Sequence, residues 1–456
     1  RNEIASENRP GNRILLQSQI IHAQNQRNQL LSKVLPDGSE SESFSNLIQL
    51  RRYLTESEQI LHIAIFDEEL FVYSITQDSV QTKTFPFSRA QEQSIQETLN
   101  LMASGKTDLI KLHQIYDSWF SDLIDTTKSK LMVIPDGVFY RLPFDTLPIS
   151  KPESAQHYGT TKYLIEKYQV SYVSSLSEFI NNQYHEKRDY RYFFSGFGLT
   201  SFTNHQNRNL TSLPFAETEI VQITDTFPRL NALNGFTNKQ STEGKFRAKA
   251  GESAIIHIAS HSEVSNNHPL FSVIFFQPDS LNTTIENDGL VYVYELFEMN
   301  LQSELVFLGS CSSGSGTFIQ GSGILGFSRA ISYAGARSLI MNLWPVRDQS
   351  SAELSVKFYS YLNQGFSRSE SLRLAKIDFI NQRNSNPAIW GALVLYGDTS
   401  PINTRNSLLP VLGLLFGILM VLLIIIIVIN KYYPPKNDLK NSIEVNSLRH
   451  DCMRHP

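Results

Sequence analysis

The stretch LVFLGSCSSGSG, Leu305 to Gly316, decides the fold class. Its first half is a short apolar run rich in Leu, Val and Phe, the pattern of a strand buried on both faces. Its second half turns at once to Gly and Ser and places Cys311 where the strand must stop. A strand of this kind needs helices above and below it, and the flanking sequence alternates accordingly. A helix is expected from Ala216 to Thr226, a strand in AIIHIA (Ala254–Ala259) and another in LFSVIFF (Leu270–Phe276). A helix near Val291 to Glu298 precedes the quoted strand, and GILGFSRAISYAG (Gly323–Gly335) follows it as helix. Strand SLIMNLW, helices over about Ser350–Leu362 and Ser367–Asn381, and a last strand WGALVLYG (Trp390–Gly397) complete the series. The alternation predicts an α/β sandwich around a mostly parallel sheet, with its chemistry at the carboxyl ends of the strands.

Upstream, ILHIAIF (Ile60–Phe66) and LFVYSIT (Leu70–Thr76), separated by Asp67, Glu68 and Glu69, read as a β-hairpin. An amphipathic helical region follows from about Ser88 to Thr126, with Trp119 and Phe120 on its apolar side. In KLMVIPDGVFYRLPFDTLP, Pro135, Asp136 and Gly137 supply a turn between two expected strands, Asp136 bonding its own backbone. Residues 1–50 read as a helical segment, either a helical hairpin or the end of an upstream repeat array. The chain begins with Arg1 rather than Met and is read as a fragment of a longer protein.

A formal net charge of −4 in 456 residues gives no electrostatic footprint for nucleic acid. Two cysteines, Cys311 and Cys452, cannot build a disulfide framework. The segment from Leu408 to Asn430 carries no charge, and at ~1.5 Å per residue it matches a hydrocarbon core of ~30 Å, so a transmembrane helix is expected at 408–430. Lys431, Lys436, Lys440 and Arg449 in the polar tail 431–456, against Arg405 before the span, place the tail in the cytoplasm. The side of the globular body, at 51–400, stays open, because a large domain needs its own export signal.

Two reactive side chains sit just past apolar strands: His261 after AIIHIAS and Cys311 after LVFLGS. Brought together at one sheet edge they form a nucleophile and a general base, because a neighbouring imidazole lowers the thiol pKa. Their separation of 50 residues agrees with caspase-type spacing, although the Q-A-C-[RQG]-G signature is absent. A competing reading makes GSCSSGSG a backbone cradle for phosphate and the protein a nucleotide-binding switch, without the Lys of a P-loop or a G-x-G-x-x-G pattern. In the plainest reading Cys311 is a small buried hydrophobe. His257 and His261, four apart, lack a third ligand at metal spacing, so His257 reads as a core histidine and no metal or cofactor is expected.

These residues also carry a family resemblance. LMVIPDGVFYRLPFDTL, YLIEKYQVSYVSSLS, IIHIASHS, LVFLGSCSSGSG, FYSYLNQGFSRSESLRLAK and NPAIWGALVLYGD fall in the order found in the CHAT domain. The most specific match is GILGFSRAISYAGARSLIMNLWPVRDQSS. From about Ile60 to Gly397 the chain resembles this caspase-like module, often found behind tetratricopeptide repeats and grouped with caspases and separases. The resemblance implies a caspase-like α/β/α sandwich and a cysteine endopeptidase, with Cys311 as nucleophile and His261 as general base. It implies backbone N–H groups of Ser262 and Cys311 as the oxyanion hole, a protein or peptide substrate, and control by an upstream repeat domain or activating partner. The chain departs from the pattern at Ser262, where Gly is usual, and at GSCSS, where Ser-Ala-Cys-Glu-Thr is usual. A positive φ at position 262 would strain a serine. The departures open the alternative of an inactive scaffold for protein association. Trp344, Pro345 and Asp348 read as architecture, Asp348 as the N-cap of the next helix, and Trp390 as core. Arg337 reads as a buried or a cleft arginine.

Overall fold

The computed structural model describes residues 50–183, 188–202, 210–227, 233–265, 268–279, 287–309, 322–402 and 409–432. The chain divides into two compact units, Arg1–Thr404 and Arg405–Pro456. The helical segment expected in the first 49 residues, the GSCSSGSG loop with Cys311, and the tail beyond Tyr432 lie outside the described residues.

The first unit is built on an 11-stranded sheet among the described residues. Strands β1 (Glu58–Phe66), β2 (Glu69–Thr76) and β3 (Val80–Pro86) form an antiparallel meander at one edge. The expected hairpin closes on two residues, Asp67 and Glu68, at φ 49° and 62°, leaving Glu69 to open β2 opposite Phe66. Positive φ at both tip residues is the turn shape that suits the twist of the strands. Helices α1 (Arg89–Ala103) and α2 (Leu109–Trp119) follow, then β4 (Lys130–Ile134), which pairs parallel with β1.

The second strand expected after Asp136 does not form. Gly137, at φ 51°, instead opens a 3₁₀ helix over Gly137–Arg141. Asp136 accepts from the Gly137 N–H at 2.8 Å and the Ile65 N–H at 2.9 Å, so it ties the turn to β1 as well as to its own backbone.

The chain continues through β5 (Gln169–Tyr172), α3 (Leu176–Asn181), β6 (Tyr192–Gly198), α4 (Ala216–Thr226), β7 (Leu233–Thr237), α5 (Glu243–Ala250) and β8 (Ser253–Ala259). The expected strand Leu270–Phe276 breaks into a 3₁₀ turn started by Pro269 and a short β10 (Val273–Phe275). With β9 (Ser262–Glu263) and β11 (Leu290–Tyr292), β10 makes a separate three-stranded sheet. The helix expected near Val291 shrinks to one turn, α6 (Val293–Leu296), because the residues before it pair as β11.

After β12 (Leu305–Leu308) come α7 (Ser322–Tyr333), β13 (Ser338–Asn342), α8 (Asp348–Asn363), α9 (Arg368–Gln382), α10 (Pro387–Trp390) and β14 (Leu393–Gly397). The sheet order is β3-β2-β1-β4-β5-β14-β13-β12-β8-β6-β7. Strands β13, β12, β8, β6 and β7 run parallel, and β14 runs antiparallel to β13 but parallel to β5. The mostly parallel sheet therefore consists of two blocks of opposite direction meeting at β13 and β14.

Side chains alternate between two apolar layers, as strand geometry requires. On β8, Ile256 and Ile258 join Phe246 of α5 and Phe327 and Ile331 of α7. Ile255 faces the other way, with Leu354 and Phe358 of α8 and Phe379 of α9. Trp390 is fully buried, as expected.

The second unit contains one 24-residue helix, α11 (Leu409–Tyr432). Its described side chains from Ile418 to Ile427 are 45–63% exposed. Among the described residues no helix is long and apolar enough to cross a membrane.

Candidate active site

The parallel block has a switch point. From β6 the chain moves outward to β7, then returns to β8 on the other side of β6 and proceeds to β12 and β13. A crevice opens outside the carboxyl ends of strands where the order reverses, and that is where open α/β sheets bind ligands. His261 lies two residues past the end of β8, at the carboxyl end of the sheet beside this switch point.

Two groups from the segment after β6 hold the His261 ring. Its Nε2 stands 2.7 Å from the Thr211 carbonyl oxygen, and the Phe202 ring packs on it with centroids 4.6 Å apart. A carbonyl can only accept, so Nε2 carries the hydrogen and Nδ1 is the basic nitrogen of the neutral ring. With 3% of the residue exposed, the ring has little freedom to turn. An imidazole with a fixed tautomer and its basic nitrogen set by a backbone carbonyl is suited to proton transfer.

Ser262 does not need positive φ: it opens β9 in extended conformation opposite Ile274. The neighbouring Phe275 N–H donates to the His261 carbonyl at 3.0 Å. Alternation along an antiparallel ladder then directs the Ser262 N–H away from β10. The strain expected of a serine at this position does not arise.

Cys311 itself lies outside the described residues, and so does the loop read as a phosphate cradle. The strand leading to it is placed. β12 pairs with β8 in the register Leu308↔Ile258, and the Gly309 N–H continues the ladder to the Ile258 carbonyl at 2.9 Å. Chain segments two residues before Cys311 and three before His261 are thus directly hydrogen bonded.

His257, one turn of the pleat deeper, is a core histidine. Its Nδ1 is 3.1 Å from the Tyr359 hydroxyl, its Nε2 is 3.0 Å from Glu219 Oε1, and it is fully buried. Burial pushes the Tyr359 hydroxyl well above its ordinary pKa, with the nearby Glu219 charge adding to the rise, so the phenol keeps its proton to donate. Among the described residues no group of three or more His, Cys, Asp or Glu could hold a metal ion.

The remaining motif residues make their contacts away from the His261 ring. Trp344 is buried and donates from Nε1 to the Ala388 carbonyl at 2.8 Å. Asp348 is not the N-cap expected of it: Arg347 takes that position, Asp348 is the first residue of α8, and its Oδ2 accepts from the Phe215 N–H at 2.7 Å. Arg337 sits at the opposite end of the sheet from His261, 3.3 Å from Glu304. Sequence reasoning missed Thr211, which acts through its backbone and leaves no side-chain signature, and Phe202 and Glu219, which reach the two histidines from distant segments.

The sequence model of the CHAT domain matches residues 109–398. Tetratricopeptide repeat protein 28 of Homo sapiens is 22% identical over 325 residues, covering 61% of this chain and 12% of its own length. The chain therefore spans only a small part of that relative. Among solved structures, the separase–securin complex of Saccharomyces cerevisiae aligns with 78% of this chain and 31% of the other chain, at 10% identity and a TM-score of 0.47. The complex of Porphyromonas gingivalis RgpB pro- and mature domains covers 66% of this chain and 69% of the other, at 10% identity and a TM-score of 0.35. The matched residues 109–398 are well over half of the 456, and the chain belongs to the CHAT domain family.

Proposed function

We propose that this chain is a membrane-anchored CHAT-domain cysteine endopeptidase working through a Cys311–His261 dyad. The observation that supports the reading is the His261 Nε2 to Thr211 carbonyl contact, which fixes the imidazole tautomer just past β8, the strand hydrogen bonded to the one that leads to Cys311. His261 takes the thiol proton, and the Cys311 thiolate attacks the scissile carbonyl carbon. The tetrahedral oxyanion is met by backbone N–H groups of Ser262 and Cys311, donors typically worth ~10²–10³ in rate. Collapse breaks the C–N bond, the leaving amine takes the proton from the imidazolium, and a thioester remains. Water, deprotonated by His261, then releases the carboxylic acid and the thiol.

The substrate class is a protein or peptide. An upstream repeat domain or a partner acts as activator, so the basal rate of the isolated chain is low. On the strength of the sequence alone, the uncharged run from Leu408 to Asn430 serves in this reading as a single-pass anchor, with the tail from Lys431 on the cytoplasmic face. Protease protection of the tail in sealed vesicles tests that topology, and release of the protein by alkaline extraction would count against the anchor.

The dyad is tested by labelling the detergent-solubilised protein with a thiol-directed acyl electrophile across pH, comparing wild type, His261→Ala and Cys311→Ala. Rapid labelling at Cys311 near neutral pH that slows strongly without His261 supports the peptidase. Labelling no faster than a free thiol of pKa about 8.5, indifferent to His261, leaves the inactive scaffold. Saturable nucleotide binding dependent on Gly314 and Gly316 would instead favour a nucleotide switch.

A further inference from the structure

The first turn of α8 touches the segments leading to both members of the proposed dyad. Asp348 and Ser351 are three residues apart on that turn and therefore neighbours on its surface. Asp348 Oδ2 accepts from the Phe215 N–H at 2.7 Å. Phe215 is the N-cap residue of α4 and offers no side-chain cap of its own, so Asp348 supplies from another helix the negative charge and the acceptor that the α4 N-terminus needs. Four residues before Phe215 stands Thr211, whose carbonyl fixes His261. The 210–215 segment is also tied by the Leu213 N–H to the Thr200 carbonyl at 3.1 Å and by the Ala216 N–H to the Leu213 carbonyl at 3.2 Å, while Pro214 has no N–H to contribute.

Ser351 reaches the other side. Its hydroxyl donates to the Gly309 carbonyl at 3.3 Å, where Asn342 Nδ2 also donates at 3.2 Å, two residues before Cys311. The geometry is a bridge. Asp348 follows the end of β13 and Phe215 follows β6, and between those strands in the sheet lie β12 and β8, the two that lead to Cys311 and His261.

We infer that Asp348, with Ser351 beside it, is a positioning residue that sets His261 and the Gly309 end of β12 against each other from the first turn of α8. This rests on the peptidase reading for its consequence, but not for its geometry. Asp348→Ala removes the acceptor for the Phe215 N–H and lets the Thr211 carbonyl drift, whereas Asp348→Asn keeps an oxygen in the same place. Since a displacement near 1 Å can cost about a hundredfold in rate, Cys311 labelling is expected to fall about tenfold to a hundredfold in Asp348→Ala and to recover largely in Asp348→Asn. Ser351→Ala has the smaller effect, because Asn342 still holds the Gly309 carbonyl.

The test uses the full chain in detergent with ¹⁵N-labelled histidine, the His261 signals being identified by their loss in His261→Gln. Wild type is expected to show the Nε2-protonated tautomer, Asp348→Ala a mixture of tautomers, and Asp348→Asn the wild-type spectrum. A merely structural role would lower the melting temperature without moving the His261 signals, and that result overturns the inference. Should Asp348→Ala not fold, Asp348→Glu, which displaces the carboxylate by one methylene, carries the same comparison. If His261→Ala leaves wild-type Cys311 labelling unchanged, the peptidase reading fails while the imidazole spectra still decide the positioning role. If the dyad is coupled but Asp348→Ala changes neither spectrum nor rate, only the positioning role fails.

Discussion

Glu219 Oε1 and His257 Nε2 lie 3.0 Å apart with 3% and 0% of their side chains exposed, at ion-pair distance but without the alignment of a linear hydrogen bond. Tyr359 completes the cluster from α8 at 3.1 Å. Helix α4, strand β8 and helix α8 are thereby joined by polar atoms inside an apolar layer. Glu219→Ala leaves the buried Nε2 with no oxygen beside it, and is expected to cost about 1–3 kcal/mol of stability. Tyr359→Phe, which removes only one hydroxyl, is expected to cost about 0.5–1.5 kcal/mol. Urea denaturation midpoints check both; midpoints equal to wild type would mean that the cluster contributes nothing.

Arg368 is the hub of a second buried network. Its guanidinium, fully buried, lies 2.7 Å from Glu304 and 2.8 Å from Asp398, and Glu304 also receives Arg337 at 3.3 Å and the Tyr190 hydroxyl at 2.6 Å. Arg368→Met removes a buried cation from beside two carboxylates, leaving Glu304 with Arg337 and Tyr190 and Asp398 with Ser400, and is expected to cost about 3–5 kcal/mol. Chemical denaturation measures the loss, and a change below about 1 kcal/mol would contradict the role assigned to Arg368.

The same network sets an acid limit. Burial alone would raise the Asp398 pKa, but the Arg368 charge and hydrogen bonds from Ser400 and Arg368 outweigh it, so the net shift is downward from 3.8. The fold prefers the ionised carboxylate, so its stabilising contribution is present above pH 3.8 and is lost as pH falls through the lowered folded value. Asp398→Asn is expected to be less stable than wild type at neutral pH, with the difference shrinking below pH 3.8. Melting curves between neutral pH and pH 3 check the sign, and a gap that widens on acidification would reverse it.

Ser262→Gly restores the residue usual in the family at a position whose backbone is extended and paired. Because no left-handed conformation is relieved, the change is expected to cost about 0.5–1 kcal/mol through chain entropy and to leave Cys311 labelling within about twofold of wild type. A tenfold faster label in the glycine variant would show that the serine obstructs the site.

The strands β8 and β12 were legible because strands buried on both faces are continuous apolar runs: AIIHIA lies within β8, and LVFLG exceeds β12 by one residue. The helices Ala216–Thr226 and Gly323–Gly335 were placed to within two residues at each end. The small second sheet was missed for a physical reason. β9, β10 and β11 are two or three residues each and exist only through pairing with segments remote in sequence, which no local pattern encodes. Asp348 looked like a local cap because Asp before a polar helical start usually is one, yet its partner is Phe215, 133 residues away. His261, one member of the proposed dyad, was expected just past a strand, and it lies two residues past β8. Thr211, which orients it, works through an atom every residue possesses.

The reversal of direction between β13 and β14 puts the Arg368 network where β12 and β13 begin and β14 ends, a strand's length from His261. The network that locks the sheet and the proposed dyad are thus at opposite poles of the same strands. A descendant of this chain that lost its cysteine or its histidine would keep its keystone, still fold and still offer the same outer surface. In such a lineage the chemistry can fall silent while the molecule persists, and a silent copy can compete with an active one for whatever both bind.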